Sequence, residues 1–136
     1  MKIRYTGDYE LQKREEDACF DLRAAKDVEM NPDKRKIIPT SLRIEIPPGY
    51  EGLIRPRSGC SANYFDVFLG TIDSGYRGEI GVVACNKAHH TMYINKGDRI
   101  AQLAIRPVPS VEFIHTTETL TESERGEGGF GSTGKE

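Results

Sequence analysis

The chain has 136 residues and a formal net charge of −2, a length that suits one domain with a single modest core. Its 19 Lys and Arg residues are interspersed with 21 Asp and Glu residues, so no basic field would attract a nucleic acid polymer. The residues that follow Met1 are polar, and no apolar run is long enough to span a membrane. We therefore expect a cytoplasmic protein without a membrane partner.

Period-2 apolar patterns and turn residues predict many short strands. In SLRIEIPPGY, for example, apolar residues alternate from Leu42 to Ile46 before the Pro-Pro-Gly turn. The predicted strands are 2–5, 20–24, 42–46, 50–55, 65–69, 79–85, 91–94, 99–106 and 111–114. One short helix is predicted over 58–63 with Ser58 as its N-cap. This pattern favours an all-β sandwich, jelly roll or small barrel, whose sheet edges favour oligomerisation.

Three scattered cysteines do not predict a disulfide framework. Cys19, Cys60 and Cys85 are odd in number and form no CxxC pair, so reduced thiols are expected. His89 and His90 follow Cys85 closely, but a metal site needs more ligands than this stretch supplies. A polar loop is the better interpretation.

The segment GTIDSGYRGEI, residues 70–80, combines a turn with two residues that a turn does not require. A strand up to Ile72, the pair Ser74-Gly75 and a second strand after it predict a hairpin. Asp73 and Tyr76 would then place a carboxylate and an aromatic face side by side at the tip. For this segment alone, a solvated turn with a packing tyrosine is the simpler interpretation.

Two segments have the composition of anion-binding loops. In IRPRSGCSA, Arg55 and Arg57 precede the predicted helix start, where free N–H groups and a hydroxyl could hold a phosphate. An exposed turn with solvated arginines explains this segment equally well. The tail RGEGGFGSTGKE can turn its N–H groups inward around an anion. Its composition is also typical of a disordered terminus, but Phe130 argues for a loop that stacks on a base.

Two polar residues interrupt predicted strands. Asp21 in CFDLRAA is disfavoured by strand propensity, and Gln102 in GDRIAQLAI needs partners among its apolar neighbours. The cationic loops, the acid, the aromatic residues and these polar positions together indicate a ligand with several phosphates and a base. A nucleoside triphosphate fits this description.

Five segments, in order, resemble the five motifs of the trimeric deoxyuridine triphosphatases (dUTPases). They are DACFDLRAA (17–25), PRSGCSA (56–62), GTIDSGYRGEI (70–80), GDRIAQLAI (97–105) and RGEGGFGSTG (125–134). The resemblance implies a jelly-roll or distorted β-barrel protomer over residues 1–124. It implies a flexible C-terminal arm over 125–136 that closes over an active site, and a homotrimer with its active sites between subunits.

The resemblance also implies an activity: hydrolysis of dUTP to dUMP and pyrophosphate, which limits uracil incorporation into DNA and supplies dUMP for dTTP synthesis. Asp73 would activate the water that attacks the α-phosphorus, and Tyr76 would pack under the deoxyribose and reject UTP. Asp21 would support the site indirectly, through water or through contacts with the residues that bind the substrate. Mg²⁺ would be held by substrate phosphates and waters, not directly by the protein. The other substrate-binding positions are Arg57, Ser58, Gly59, Gly70, Thr71, Ile72, Gln102, Arg125, Phe130, Gly131, Ser132 and Thr133.

Departures from the family pattern leave two alternatives. The stretch between the second and third motifs is shorter than usual and lacks an Asn, so base recognition would rest more on backbone groups of the third motif. In the dCTP deaminases, which share the fold, the catalytic glutamate corresponds to Val83, and a hydrophobic side chain cannot move a proton. The other alternative is a nucleotide-binding regulatory trimer without turnover, against which the presence of Asp73 speaks.

Overall fold

Antiparallel strands make up almost all regular structure in the computed structural model, which describes residues 1–131. The strands are β1 Tyr5–Thr6, β2 Phe20–Arg23, β3 Val28–Met30, β4 Arg35–Pro39, β5 Arg43–Ile44, β6 Tyr50–Arg55, β7 Phe65–Val67, β8 Gly70–Ile72, β9 Gly81–Asn86, β10 Met92–Ile94 and β11 Arg99–Pro107. One short helix, α1, covers Ser58–Ala62. Most of the predicted strands are confirmed with small shifts at their ends.

The four-stranded sheet has the order β2-β11-β6-β8, and the three-stranded sheet has the order β4-β9-β7. Two further pairs, β1-β5 and β10-β3, extend the structure. The nine-residue β11 pairs with β2 between Arg99 and Leu103 and with β6 from Gln102 to Pro107, so residues 102 and 103 have partners on both sides. The strand that carries most of the fourth motif is therefore central to the sheet.

The core is aliphatic. Buried side chains from both larger sheets pack together, and the largest fully buried ones include Leu22, Met30, Ile38, Ile46, Val82, Ile100 and Leu103. Asn86 is a fully buried polar residue, and its amide donates to the Met30 and His90 carbonyls while accepting from Ala88 N–H. These bonds satisfy the amide, since an unpaired one would destabilise the core.

Four predictions of local structure differ from the structure. Ser58 is not the N-cap: Arg57 occupies that position without a side-chain cap, and Ser58 is the first helical residue. Residues 111–114 form no strand, and the first strand contains only the end of the predicted 2–5 segment. Residues 70–80 are not a paired hairpin either, because β8 pairs with β6 while β9 pairs with β4 and β7.

Two strands were not predicted. β3 has only three residues, too few for a periodic signal. β4 contains the consecutive apolar residues Ile37 and Ile38 and ends in Pro39, which contradicts both the alternation and the composition expected of a strand. β3 and β4 form because β10 and β9 supply their hydrogen-bond partners, and the local sequence does not indicate this pairing.

Candidate active site

A cavity of about 640 Å³ opens beside the beginnings of β11 and α1. It is called the basic cavity here because five cationic side chains line it together with three carboxylates, one serine and two glutamines. They are Lys13, Arg14, Arg23, Arg57 and Arg99, with Glu10, Asp17 and Asp21, and with Ser58, Gln12 and Gln102. This excess of cations and donors suits an anionic ligand with several oxygens.

Strand register brings the first, second and fourth motifs together at this cavity. Gln102 on β11 lies opposite Asp21 on β2 and opposite Arg55 on β6. Two residues after Arg55, the chain reaches Arg57 and then Ser58 at the start of α1. Three segments that are far apart in sequence are thus neighbours because β11 pairs with both flanking strands.

Asp21 holds two arginines in place. Its Oδ1 accepts from Arg57 Nε at 3.0 Å, and its Oδ2 lies 3.7 Å from Arg99 Nη1. The Arg57 and Asp21 side chains retain only 25% and 31% of their exposure, which reduces screening of this pair by solvent. Asp21 therefore orients both guanidinium groups at the cavity wall, where their remaining N–H groups can meet phosphate oxygens.

The remaining predicted residues of these motifs have different positions. Gln102 is half-buried and lines the basic cavity. Gly59, the second residue of α1, lies on the other side of the helix in a groove that shares Arg57 and Arg99 with the cavity. A Cβ added to Gly59 would meet no atom within 4 Å, so this glycine is not required by packing within the protomer.

The 73–80 loop, which contains Asp73 and Tyr76, connects the two larger sheets. Asp73 is exposed, and its carbonyl accepts from Tyr76 N–H at 3.1 Å. The Tyr76 hydroxyl donates to the Glu79 carbonyl at 2.8 Å, which fixes the ring along the returning half of the loop. Arg77 Nη1 donates to the Ser74 carbonyl at 2.7 Å. The acid and the aromatic face are thus presented on one loop, as predicted, although no β ladder supports them.

The 73–80 loop lies at the far end of the four-stranded sheet from the basic cavity. β8 runs antiparallel to β6, so that Gly70 is level with Ile54 and Ile72 with Gly52. Ile72 is therefore three residues from Arg55 along β6, about 10 Å at the usual rise per residue, and Asp73 continues away from the cavity. None of the described residues of the third motif lines the basic cavity.

The chain beyond β11 extends away from the rest of the protomer. Every residue from 108 to 127 is exposed, including the large apolar side chains of Val111, Phe113, Ile114 and Leu120. Phe113 retains 94% of its exposure, an unusual position for so large an apolar group unless another surface covers it. Residues 111–114 have the alternation of a strand but no partner strand among residues 1–131.

The fifth motif begins with a turn at Arg125. Arg125 Nε donates to the Gly128 carbonyl at 2.6 Å, and Gly128 N–H donates back to the Arg125 carbonyl at 3.1 Å. Phe130 is fully exposed with a φ of 50°, and Gly131 has a φ of 82°. The predicted residues Ser132 and Thr133 lie outside the described residues.

The family profile named dUTPase matches residues 7–134, nearly the whole chain. This chain belongs to the dUTPase family. It is 46% identical to the deoxyuridine 5'-triphosphate nucleotidohydrolase of Anaeromyxobacter sp. (strain Fw109-5), with 99% of this chain and 97% of the relative covered. It is 50% identical to the enzyme of the same name from Nautilia profundicola, with 88% of this chain and 86% of the relative covered.

Solved dUTPase structures share the fold. The Staphylococcus bacteriophage 80alpha dUTPase with dUpNHpp superposes with a TM-score of 0.91 at 29% identity, covering 98% of both chains. A variant dUTPase from phage phi11 of S. aureus, described with a structural Mg(II) ion, has a TM-score of 0.83 at 26% identity and covers 89% of this chain and all of its own. The all-β jelly-roll prediction is confirmed.

Arg99 is a residue of the basic cavity that the sequence did not reveal. Gln102 was predicted from the same motif, but strict alternation puts residues 99 and 102 on opposite faces of a strand. The pairing with β2 shifts register between Arg99 and Ala101, and such a bulge re-aims the side chains before it. Lys13 and Arg14 were also missed, since only the fold places their loop at the cavity.

Among residues 1–131, no group of three or more His, Cys, Asp or Glu side chains is arranged to hold a metal ion. Neither does any helix in that range have the length and apolar character needed to cross a membrane. The lack of such a metal-binding cluster in residues 1–131 bears on how a Mg²⁺ ion would be held in this dUTPase.

Proposed function

We propose that this dUTPase hydrolyses dUTP to dUMP and pyrophosphate at sites shared between copies of the chain in a homotrimer. The observation that carries the proposal is the separation of two complementary groups within one protomer. The basic cavity offers cations for a triphosphate, while Asp73 and Tyr76 lie at the opposite end of β6. A cyclic trimer brings the cavity of one copy against the 73–80 loop of the next.

The basic cavity would bind the phosphate chain. Arg57, Ser58 and Gln102 approach it from two strands and the start of α1, and Asp21 keeps Arg57 oriented. Gly59 would contribute its backbone N–H from the neighbouring groove, which shares Arg57 and Arg99 with the cavity. Phosphoryl transfer depends mainly on positioning and charge neutralisation. The excess of cations over carboxylates therefore supplies what the reaction needs at the leaving pyrophosphate.

Asp73 would carry out the proton transfer. Its exposed carboxylate accepts a proton from a water molecule as the water oxygen bonds to the α-phosphorus. The bond between the α-phosphorus and the bridging oxygen breaks, and pyrophosphate leaves with that oxygen. Tyr76 would support the deoxyribose and leave no room for a 2′-hydroxyl. Backbone groups of Gly70, Thr71 and Ile72 would recognise uracil.

The donor set fits a Mg²⁺ ion that arrives with the substrate. No metal-binding cluster is found in the described part of the chain, and Mg²⁺ prefers phosphate oxygens and waters to protein cages. When bound, the ion neutralises charge on the triphosphate. The basic cavity would hold the phosphates that carry it.

The C-terminal arm, residues 125–136, would complete the site of another copy. Its exposed approach, with Phe113 and Ile114 uncovered in the protomer, supports packing against a neighbouring subunit. Phe130 would cover uracil, and Arg125, Gly131, Ser132 and Thr133 would bind the outer phosphates. Closure of such a segment excludes water from the reacting groups.

Neither alternative fits the structure as well. Val83, where a deaminase would need its glutamate, is paired with Ile37 in the three-stranded sheet and cannot transfer a proton. A protein that binds nucleotide without hydrolysing it would not need an exposed carboxylate at Asp73 on the same loop as Tyr76, the residue proposed to support the sugar. We therefore expect purified protein with Mg²⁺ to form dUMP and pyrophosphate from dUTP and to leave dCTP unchanged.

The shared site is tested with two inactive variants, Arg57→Ala in the basic cavity and Asp73→Asn in the loop. They are co-expressed with different tags and purified over both. Any mixed ring of three contains one junction where an intact cavity meets an intact Asp73, so about one third of wild-type activity should return. A control preparation carries both tags on the Asp73→Asn variant and should stay inactive. Absence of doubly tagged species, or inactive mixed trimers, would contradict the proposal.

A further inference from the structure

The 73–80 loop has no ladder to hold Tyr76 in position. Its two flanking strands, β8 and β9, belong to different sheets. The hydrogen bond from the Tyr76 hydroxyl to the Glu79 carbonyl, at 2.8 Å, joins two groups of the same loop. This bond within the loop therefore helps to position the ring.

Gly78 is the neighbour that the ring lies against. A Cβ added to Gly78 would overlap Tyr76 Oη and would lie 2.6 Å from Cζ and 2.9 Å from Cε2. Carbon atoms in contact are normally separated by about 3.5–4.0 Å, so the ring would have to move by about 1 Å or more. The observed position of Tyr76 therefore requires that residue 78 has no side chain.

This requirement differs from the usual reason for a glycine in a loop. Gly78 does not have a positive φ, unlike Gly49, Gly97, Gly126 and Gly131, so alanine can adopt its backbone conformation. Gly75 in the same loop also lacks a positive φ, and a Cβ there would meet no atom within 4 Å. Gly75 thus provides a matched comparison in which only the contact with Tyr76 is missing.

We propose that Gly78 is a positioning residue for sugar discrimination: it gives the Tyr76 ring the space in which the ring excludes a 2′-hydroxyl. The inference rests on the proposed function, in which Tyr76 packs under the deoxyribose. A side chain at residue 78 displaces the ring and breaks its bond to the Glu79 carbonyl. The displaced ring no longer closes the space beneath C2′, so ribose is accepted more readily while Asp73 continues to activate water.

The test measures kcat and KM for dUTP and UTP in wild type, Gly78→Ala, Gly75→Ala, Tyr76→Ala and Tyr76→Ala/Gly78→Ala. We expect Gly78→Ala to lower the ratio of kcat/KM for dUTP over UTP about tenfold, mainly through KM. Gly75→Ala should match wild type. In the Tyr76→Ala background, Gly78→Ala should change the ratio no further, because the ring that it displaces is absent.

The outcomes separate this inference from the proposed function. If Tyr76→Ala keeps full discrimination, the proposed role of Tyr76 is wrong. If Tyr76→Ala loses discrimination but Gly78→Ala keeps it, or if the two effects add, Gly78 does not act through the ring. Should Gly78→Ala fail to fold, recovery of folding in the double variant would support the ring contact. Failure of both to fold would show a backbone requirement and overturn the inference.

Discussion

The basic cavity and the 73–80 loop carry the two halves of the proposed chemistry, but different interactions hold them in place. The cavity is built across three adjacent strands, and Asp21 on β2 links Arg57 and Arg99 from the other two segments. The loop depends on bonds within itself and on bonds to the 40–43 segment, among them Arg43 Nη1 to the Arg77 carbonyl at 3.2 Å and Ser41 N–H to Glu79 Oε1 at 2.8 Å. Strand register and a shared carboxylate fix the cavity, whereas individual hydrogen bonds, within the loop and to the 40–43 segment, fix the loop.

This difference shows which part of the site one protomer can complete. The cavity residues meet in the isolated chain because sheet register determines their positions. Asp73 and Tyr76 do not line that cavity. Under the proposed function, the phosphate-binding half forms when the chain folds, and the catalytic half completes a site only when copies of the chain assemble.

Replacing Asp73 by Asn should have the largest effect on turnover. The amide cannot accept the proton of the attacking water, so kcat should fall about a thousandfold. Affinity for a non-hydrolysable dUTP analogue should stay near wild type, since the basic cavity is unchanged. Product chromatography and calorimetry measure the two quantities.

Asp66→Asn is the matched control, because Asp66 is an exposed carboxylate on β7 outside the cavity and the loop. It should retain wild-type turnover. An active Asp73→Asn protein would contradict the role of Asp73 in activating water. Loss of analogue binding in that variant would contradict the assignment of phosphate binding to the basic cavity alone.

Removing residues 125–136 should have the next largest effect. The shortened chain should keep its fold and its oligomeric state, because the described part of this segment makes only local hydrogen bonds. Loss of closure over the ligand should lower kcat/KM for dUTP about a hundredfold. Steady-state kinetics, circular dichroism and light scattering test these expectations together.

A chain that lacks only Lys135 and Glu136 is the control, since it retains all five motifs. If the longer truncation unfolds the protein, the arm belongs to the folded body and not to the ligand site. Full activity of the truncated chain would remove the arm from the mechanism.

Arg99→Gln should have the smallest of these effects and tests the cavity itself. Asp21 keeps its shorter bond to Arg57, so folding and kcat should change little. Loss of one charge-assisted contact to phosphate should raise KM for dUTP about tenfold. Arg106→Gln on the same strand removes an exposed arginine outside the cavity and should be neutral. Equal KM values for the two variants would exclude Arg99 from the site.

The sequence by itself predicted most strands, the all-β class and the five dUTPase motifs. These features depend on local information, namely alternation, turn residues and short patterns such as GTIDSGYRGEI. Asp73 and Tyr76 stood out for the same reason, because neither is needed to make a turn. Local information also suggested a strand over 111–114, which the protomer does not form.

Only the tertiary structure decided which of these residues meet. A strand needs hydrogen-bond partners from elsewhere in the chain, so β4 forms against β9 despite its weak pattern and 111–114 stays unpaired. The bulge before Ala101 places Arg99 at the cavity, and sheet connectivity separates β8 from β9. Register and partner choice are non-local properties, and they determine that the basic cavity and the 73–80 loop lie at opposite ends of one sheet.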